Sequence, residues 1–294
     1  MESERSHRIQ PGSSPALSLI ICTRNRAQSL SRCLERLSTR ELESVNGEVV
    51  LVDNGSTDDT PAIMQRFASE AMCPTSIVRE TTAGLSRARN AGVRQAEGDT
   101  IAFTDDDCYL GENYFRVASG VFAGGQFSYC GGRILLYDSS DAAYGLEEQE
   151  AFELVPPHSF ISPGRFQGAN LIVHRRVFDE IGLFDTDLGA GTPFRCEDID
   201  LVARASHAGF SGAHVPELVV YHDHGRKPGE DIRALDAAND YASGAYYAKF
   251  LRRGHLSYLR GWLAEGLLSR KDIRVTIPKF MRELKGAIGY LRTI

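Results

Sequence analysis

Short apolar runs separated by polar clusters set the rhythm of the first third of the chain. Ala16–Cys22 (ALSLIIC) and Glu48–Val52 (EVVLV) are apolar and rich in β-branched residues, which predicts strands buried on both faces. Ser76–Arg79 and Thr100–Thr104 (TIAFT) predict two more. Between them apolar positions recur at helical spacing, through Leu30, Cys33, Leu34 and Leu37 within Ser29–Leu37, and again in Gly84–Ala96. A further helix is expected to start near Thr60-Pro61, where Pro suits the first turn and Asp58 or Asp59 can cap it. The resulting β-α-β-α-β-α-β order predicts an α/β fold with a mostly parallel central sheet flanked by helices.

The pattern then loosens. Paired glycines, Gly124-Gly125 and Gly131-Gly132, break up residues 117–136. Arg133–Tyr137, Gln167–His174 and Leu218–Tyr221 read as strands, and Val177–Ile181 and Glu197–His207 as helices. From Ala234 onward the pattern is helical, interrupted by Gly254, Gly261, Gly266 and Pro278. Three parts follow: a polar, disordered lead over 1–15, a single α/β domain over 16–232 whose halves divide near residue 110, and a helical extension over 233–294. No run reaches the ~18 apolar residues of a membrane-spanning helix, and no apolar segment of signal-peptide type follows the start.

Composition changes this picture in two places. The net charge of −6 gives no basic footprint for nucleic acid, yet Lys249 to Ile294 holds eleven Lys and Arg against three acids, a local balance of +8. That asymmetry predicts contact with something anionic, either a peripheral membrane surface or a partner subunit in a homo-oligomer. Six cysteines without CxxC spacing read as reduced thiols of a cytoplasmic protein.

The polar clusters sit where strands end, and in open α/β sheets ligands bind beyond the carboxyl ends of the strands. Asp105-Asp106-Asp107 follows the fourth strand, and three adjacent carboxylates repel one another unless a cation offsets them. Asp105 and Asp107 share a side if the backbone stays extended, and their hard oxygens suit Mg²⁺ or Mn²⁺; a solvated acidic turn reads equally well. His222 and His224 end another strand and can add a nitrogen ligand. Glu197-Asp198 opens a helix after a glycine-bearing loop, a position that suits either a cap or a general base. Asp53 and Thr23–Arg26 close the first two strands, and Arg87, Arg89 and Asn90 offer donors to a base or a pyrophosphate. There is no GxGxxG after the first strand and no GxxxxGK[ST], which argues against a Rossmann dehydrogenase and a P-loop NTPase.

Taken in order, ICTRNR, VDNGSTDDT, GLSRARNAG, the DDD triplet, DEIGLFD, CEDIDL and VVYHDH resemble glycosyltransferase family 2 over about Leu17 to Arg226. The resemblance implies a single domain of the A-type glycosyltransferase fold that inverts the anomeric centre of a nucleotide-diphosphate sugar, most commonly a uridine diphosphate sugar. It places Thr23, Arg26 and Asp53 on the nucleoside, Arg87 near the base or phosphates, and Asp105 and Asp106 on the nucleotide sugar. It makes Asp105, Asp107 and His222 the ligands of Mn²⁺ or Mg²⁺, Asp198 the base and Glu197 its support. Asp106 is a third acid where the family's DxD motif often has a small or apolar residue. The QxxRW motif of processive members is missing, so one sugar per turnover is expected, delivered to a glycan or a lipid-linked glycan. Two other functions fit less of the sequence. A nucleotidyltransferase needs a Gly-rich loop with a Lys after the first strand, and an inactive sugar-nucleotide-binding protein has no need of the acidic triplet.

Overall fold

The computed structural model of the chain describes residues 15–265 and 273–293, so most of the lead expected to be disordered lies outside the described residues. The anticipated alternation is present. Strands β1 (Leu17–Thr23), β2 (Gly47–Asp53), β3 (Thr75–Arg79) and β4 (Thr100–Asp105) lie parallel in the order β3-β2-β1-β4. Helices α1 (Ala27–Glu35), α2 (Thr39–Ser44), α3 (Thr60–Glu70) and α4 (Leu85–Gln95) connect them. Period-two alternation explains why both faces are covered. Leu19, Ile21, Val49 and Leu51 meet Leu30 and Leu34 of α1 and Met64 of α3, whereas Ile20, Val50 and Val52 meet Ala88 and Val93 of α4.

The second half extends the same sheet with mixed directions. After β5 (Cys108–Leu110) and α5 (Tyr114–Gly120) come β6 (Tyr129–Leu136), β7 (Glu153–Val155), β8 (Leu171–His174), α6 (Arg175–Ile181), α7 (Glu197–His207) and β9 (Gly212–His222). Strand β8 is antiparallel to both β4 and β6, and β6 is parallel to β9. The far edge of β9 is shared, with β7 antiparallel along Gly212–His214 and β5 antiparallel along Val220–His222. Strand β9 therefore begins six residues before the predicted Leu218. Pro216 falls between the segments that pair with β7 and with β5, where its missing N–H costs no ladder bond.

The C-terminal part is helical as expected, with α8 (Glu230–Arg252), α9 (Ser257–Leu263) and α10 (Ile273–Thr293). Gly254 ends α8 in a left-handed conformation, while Pro278 is accommodated inside α10. These helices share the domain's core: Tyr246, Phe250, Tyr258, Trp262 and Tyr290 belong to the same cluster as Ile20, Phe103 and Ile199. Buried Lys249 of α8 reaches Asp200 of α7 and Asp185, each at 2.6 Å. Helices α8 and α10 touch backbone to backbone, since a Cβ on Gly244 would lie 1.7 Å from the Glu283 carbonyl oxygen. Among the described residues, no helix is long and apolar enough to cross a membrane.

Candidate active site

Two cavities hold the candidate residues. The first, of about 390 Å³, lies beyond the carboxyl ends of β1 and β4 and is lined by Thr23, Arg26, Asn54, Asp105, Asp107 and His222 among others. Its floor is built by the sequence just after β4. The backbone turns at Asp106-Asp107 and returns at once as β5, so the extended alternation expected of the triplet does not hold. In the β5–β9 register Cys108 faces His222, which brings Asp107 beside the imidazole, with His222 Nε2 3.4 Å from Asp107 Oδ1. The Asp223 N–H donates to the Asp107 carbonyl at 2.8 Å and locks that register.

The three acids have different partners. Asp106 is buried and accepts from the Thr23 hydroxyl, with Arg26 Nε 2.8 Å away. Burial, opposed by Arg26, pushes its carboxyl up to about 7. Burial also disfavours the charged form of Asp107, but His222 and the Arg26 Nη2 donor at 2.6 Å overcome it and hold the carboxyl at about 2. Asp105, with 38% of its side chain exposed, turns the other way, toward Arg89 Nη2 at 3.5 Å.

Arg89, rather than the exposed Arg87, is the buried cation of α4. Its Nη1 donates to Glu197 Oε1 at 2.7 Å, so one guanidinium spans from the end of β4 to the start of α7. The backbone of Gly168 lies against that guanidinium, where any Cβ would come within 2.0 Å of Nη2. Burial and the neighbouring Asp198 raise the Glu197 pKa, and Arg89 opposes them. Asp198 is half-buried; its Oδ2 accepts from the Gly168 N–H at 2.9 Å and its Oδ1 from the Ile199 N–H at 2.8 Å. It faces the second cavity, of about 360 Å³, which lies between α7 and the C-terminal helices.

The remaining residues sort as follows. Asp53 is buried at the end of β2, where its Oδ1 accepts from the Ser56 N–H and shapes the loop. The next residue, Asn54, is the one that lines the first cavity. Arg226 also lines it, held in place by Asp141, which accepts from the Gly225 N–H at 2.8 Å and pairs with Lys227 at 2.6 Å. Neither Asn54 nor Arg226 stands out in the sequence beyond lying next to Asp53 and two residues past the HDH triplet. His224 points elsewhere, its Nε2 on the Ala142 carbonyl and its Nδ1 accepting from the Arg226 N–H. The loop Gly189–Arg195 edges the first cavity and is tied to α4 by the Leu85 N–H on the Ala190 carbonyl.

A divalent ion fits part of this arrangement. Asp107, Cys108 and His222 bring candidate ligand atoms within 4.8 Å of one another, and His222 Nδ1 is buried with no hydrogen-bond partner among the described residues. Burial drives the Cys108 thiol well above its ordinary value, so it stays protonated and is a poor ligand for a hard cation. The carboxylate and imidazole are the donors that match.

An α/β sheet with these motifs at its strand ends defines a class that solved structures share. The mannosyltransferase PcManGT from Pyrobaculum calidifontis, in complex with GDP-Man and Mn²⁺, superposes with a TM-score of 0.62 over 96% of this chain and 88% of that one, at 18% identity. TarS 1-349 from S. aureus, in complex with UDP-GlcNAc, gives 0.56 over 93% and 81%, at 17% identity. These likenesses establish the A-type glycosyltransferase fold. Glycosyltransferase AglE of Haloferax volcanii is 26% identical over 210 residues, 71% of this chain and 67% of that protein. A PGL/p-HBAD biosynthesis glycosyltransferase of Mycobacterium bovis is 37% identical over 109 residues, 36% of this chain and 42% of that protein. The family model of Glycosyl transferase family 2 matches residues 18–182, more than half of the chain. The chain belongs to that family and is a glycosyltransferase.

Proposed function

We propose that the protein transfers one sugar from a nucleotide-diphosphate sugar, with uridine the first candidate base, to an acceptor hydroxyl of a glycan or lipid-linked glycan, inverting the anomeric centre. The observation that carries this reading is the Arg89 bridge. It couples Asp105, in the donor cavity, to Glu197, and so to the neighbouring carboxylate that faces the second cavity. In this reading Thr23, Arg26 and Asn54 hold the nucleoside end of the donor, Asp53 supports them through the loop it shapes, and Arg226 meets its diphosphate. Asp198 accepts the proton of the acceptor hydroxyl as the oxygen attacks the anomeric carbon and the bond to the diphosphate breaks. Glu197 is the positioning residue, fixed by Arg89 and too buried to meet the acceptor. Asp107 and His222, with Asp105 near, would hold Mn²⁺ or Mg²⁺, which when bound supplies positive charge to the departing diphosphate. The basic segment 249–294 is proposed to meet an anionic membrane surface that presents the acceptor.

The test compares two isosteric variants. Asp198→Asn keeps the shape but cannot take the proton, so turnover should fall by about 10²–10⁴ with donor affinity unchanged. Glu197→Gln should cost less turnover and more thermal stability. The reverse ranking moves the base to Glu197, and full activity in excess chelator removes the metal from the reading.

A further inference from the structure

The second cavity is walled on one side by α7 and the Phe166–Gln167 segment, and on the other by the C-terminal helices. We propose that these helices complete the acceptor site, and that the site takes an uncharged, hydroxyl-bearing glycosyl unit and turns away a phosphate-terminated acceptor. This rests on the reading above, in which Asp198 is the base.

Three observations support it. First, the wall opposite Asp198 is polar and preorganised. Asn239 and Ser243 of α8 line it, and α8 is locked to α10 by the contacts of Gly244 with Glu283 and of Gly286 with Tyr241, where a Cβ would come within 1.7 and 1.8 Å of a carbonyl oxygen. Second, the cavity is acidic. Among the described residues, four carboxylates, Asp198, Asp240, Glu265 and Glu283, line it against two cations, Arg195 and Lys279. Lys279 is already paired with Glu283 at 3.3 Å, which leaves Arg195, exposed at the rim, as the lining cation nearest to solvent. Third, the acids are held by donors from the protein. Arg282 binds Asp240 Oδ2 at 2.7 Å, Tyr247 donates to Glu265 at 3.0 Å and Trp262 donates to Glu283 at 2.8 Å. Carboxylates fixed in this way are strong acceptors for sugar hydroxyls. A phosphate in the same cleft would meet like charge at Asp198 and Glu265, the acids of Asp240 and Glu283 being offset by Arg282 and Lys279. A lipid-linked glycan is compatible with this site through its sugar end, whereas a lipid phosphate is not.

The experiment uses the full chain, the donor it hydrolyses best, and two acceptor panels: methyl glycosides of common hexoses and N-acetylhexosamines, and the matching sugar phosphates. Donor hydrolysis to water is followed in parallel and reports the donor half alone. Transfer to at least one methyl glycoside, with the matching sugar phosphate used at least about tenfold less well, is the expected result. Ser243→Phe should fill the cavity from α8 and raise the acceptor KM at least tenfold while donor hydrolysis and nucleotide affinity hold. Asp240→Asn, a milder change, should narrow the preference for the neutral acceptor. Sugar phosphates used as well as glycosides, or unchanged acceptor KM in a folded Ser243→Phe, overturns the inference and leaves the glycosyltransferase reading intact. If Ser243→Phe does not fold, an unchanged preference in Asp240→Asn overturns it instead. Absence of donor hydrolysis in the unaltered chain overturns the proposed function and this inference with it.

Discussion

Arg26 serves two acids of the triplet, Asp106 and Asp107, and Arg89 the third, a division the sequence did not show. The presence of the acids beyond a buried strand was legible, because polar residues at a strand end have few structural uses. The backbone turn at Asp106-Asp107 was not, since it depends on β5 pairing with β9 more than a hundred residues away. The same limit applies on α4: Arg87 and Arg89 look equivalent in the sequence, and only the packing of α4 on the sheet buries Arg89 and leaves Arg87 outside. The Arg89 bridge leads to a prediction. Arg89→Met leaves Glu197 buried without its cation, a loss of about 3–5 kcal/mol that thermal melts would reveal. Arg89→Lys keeps the charge but not the two-armed span. It should recover most of the stability and little of the turnover. Full recovery of both by Lys would show that charge alone matters and that the bridge does not organise the site.

Elements were legible in proportion to their length and regularity. The four parallel strands and α1, α3, α4 and α7 stand where periodicity placed them, within a few residues. Helices α2 and α5 and strands β5 and β7 had no expectation. The two strands are three residues each and exist only because β9 offers an edge to both. Nor could periodicity show what the end of α7 packs on. His207, in its last turn, stacks on His255 with ring centroids 3.8 Å apart, and its Nε2 has no hydrogen-bond partner among the described residues. Burial, then the nearby His255 and His158, depress its pKa from 6.5 to about 4. The folded state therefore binds this proton less readily than the unfolded chain does. The contribution of His207 to stability is complete above pH 6.5, declines as pH falls through the window down to about 4, and changes no further below it. Melting temperatures measured across that window should fall on acidification, and the fall should be shallower in His207→Gln. Parallel curves for the two proteins would rule His207 out as the source.

At the scale of the whole molecule, the charge imbalance was visible in composition but its placement was not. Phe280, Met281, Leu284, Ile288 and Leu291 recur at helical spacing along α10, the pattern of a single apolar face. The structure divides it. Phe280 and Leu284 pack inward against the core shared with α8 and α9, while Met281, Ile288 and Leu291 remain exposed, as do Leu256, at 73%, Leu259 and Leu263 of the α9 region. Between α8, α9 and α10 lies an apolar groove of about 450 Å³ lined by Leu251, Trp262, Ile288 and Leu291. Exposed Arg252, Arg253, Arg260, Lys285 and Arg292 belong to the same three helices. Apolar side chains interspersed with cations match the interface of an anionic bilayer, where each basic group near the surface adds about 1 kcal/mol. The proposed contact is reversible, and it would bring the chain to a lipid-linked glycan. Because Ala287 and Tyr290 of α10 belong to the core, removing the helix would unfold more than it tests. Point variants are the cleaner probe. The unaltered chain should co-sediment with vesicles containing anionic phospholipid, bind less as salt rises, and ignore purely zwitterionic vesicles. Leu256→Ser with Leu291→Ser should weaken binding without shifting the melting temperature, and Arg252→Glu with Lys285→Glu should weaken it most at low salt. No binding to anionic vesicles, together with a concentration-dependent dimer that the same four substitutions dissociate, would assign this face to a second copy of the chain.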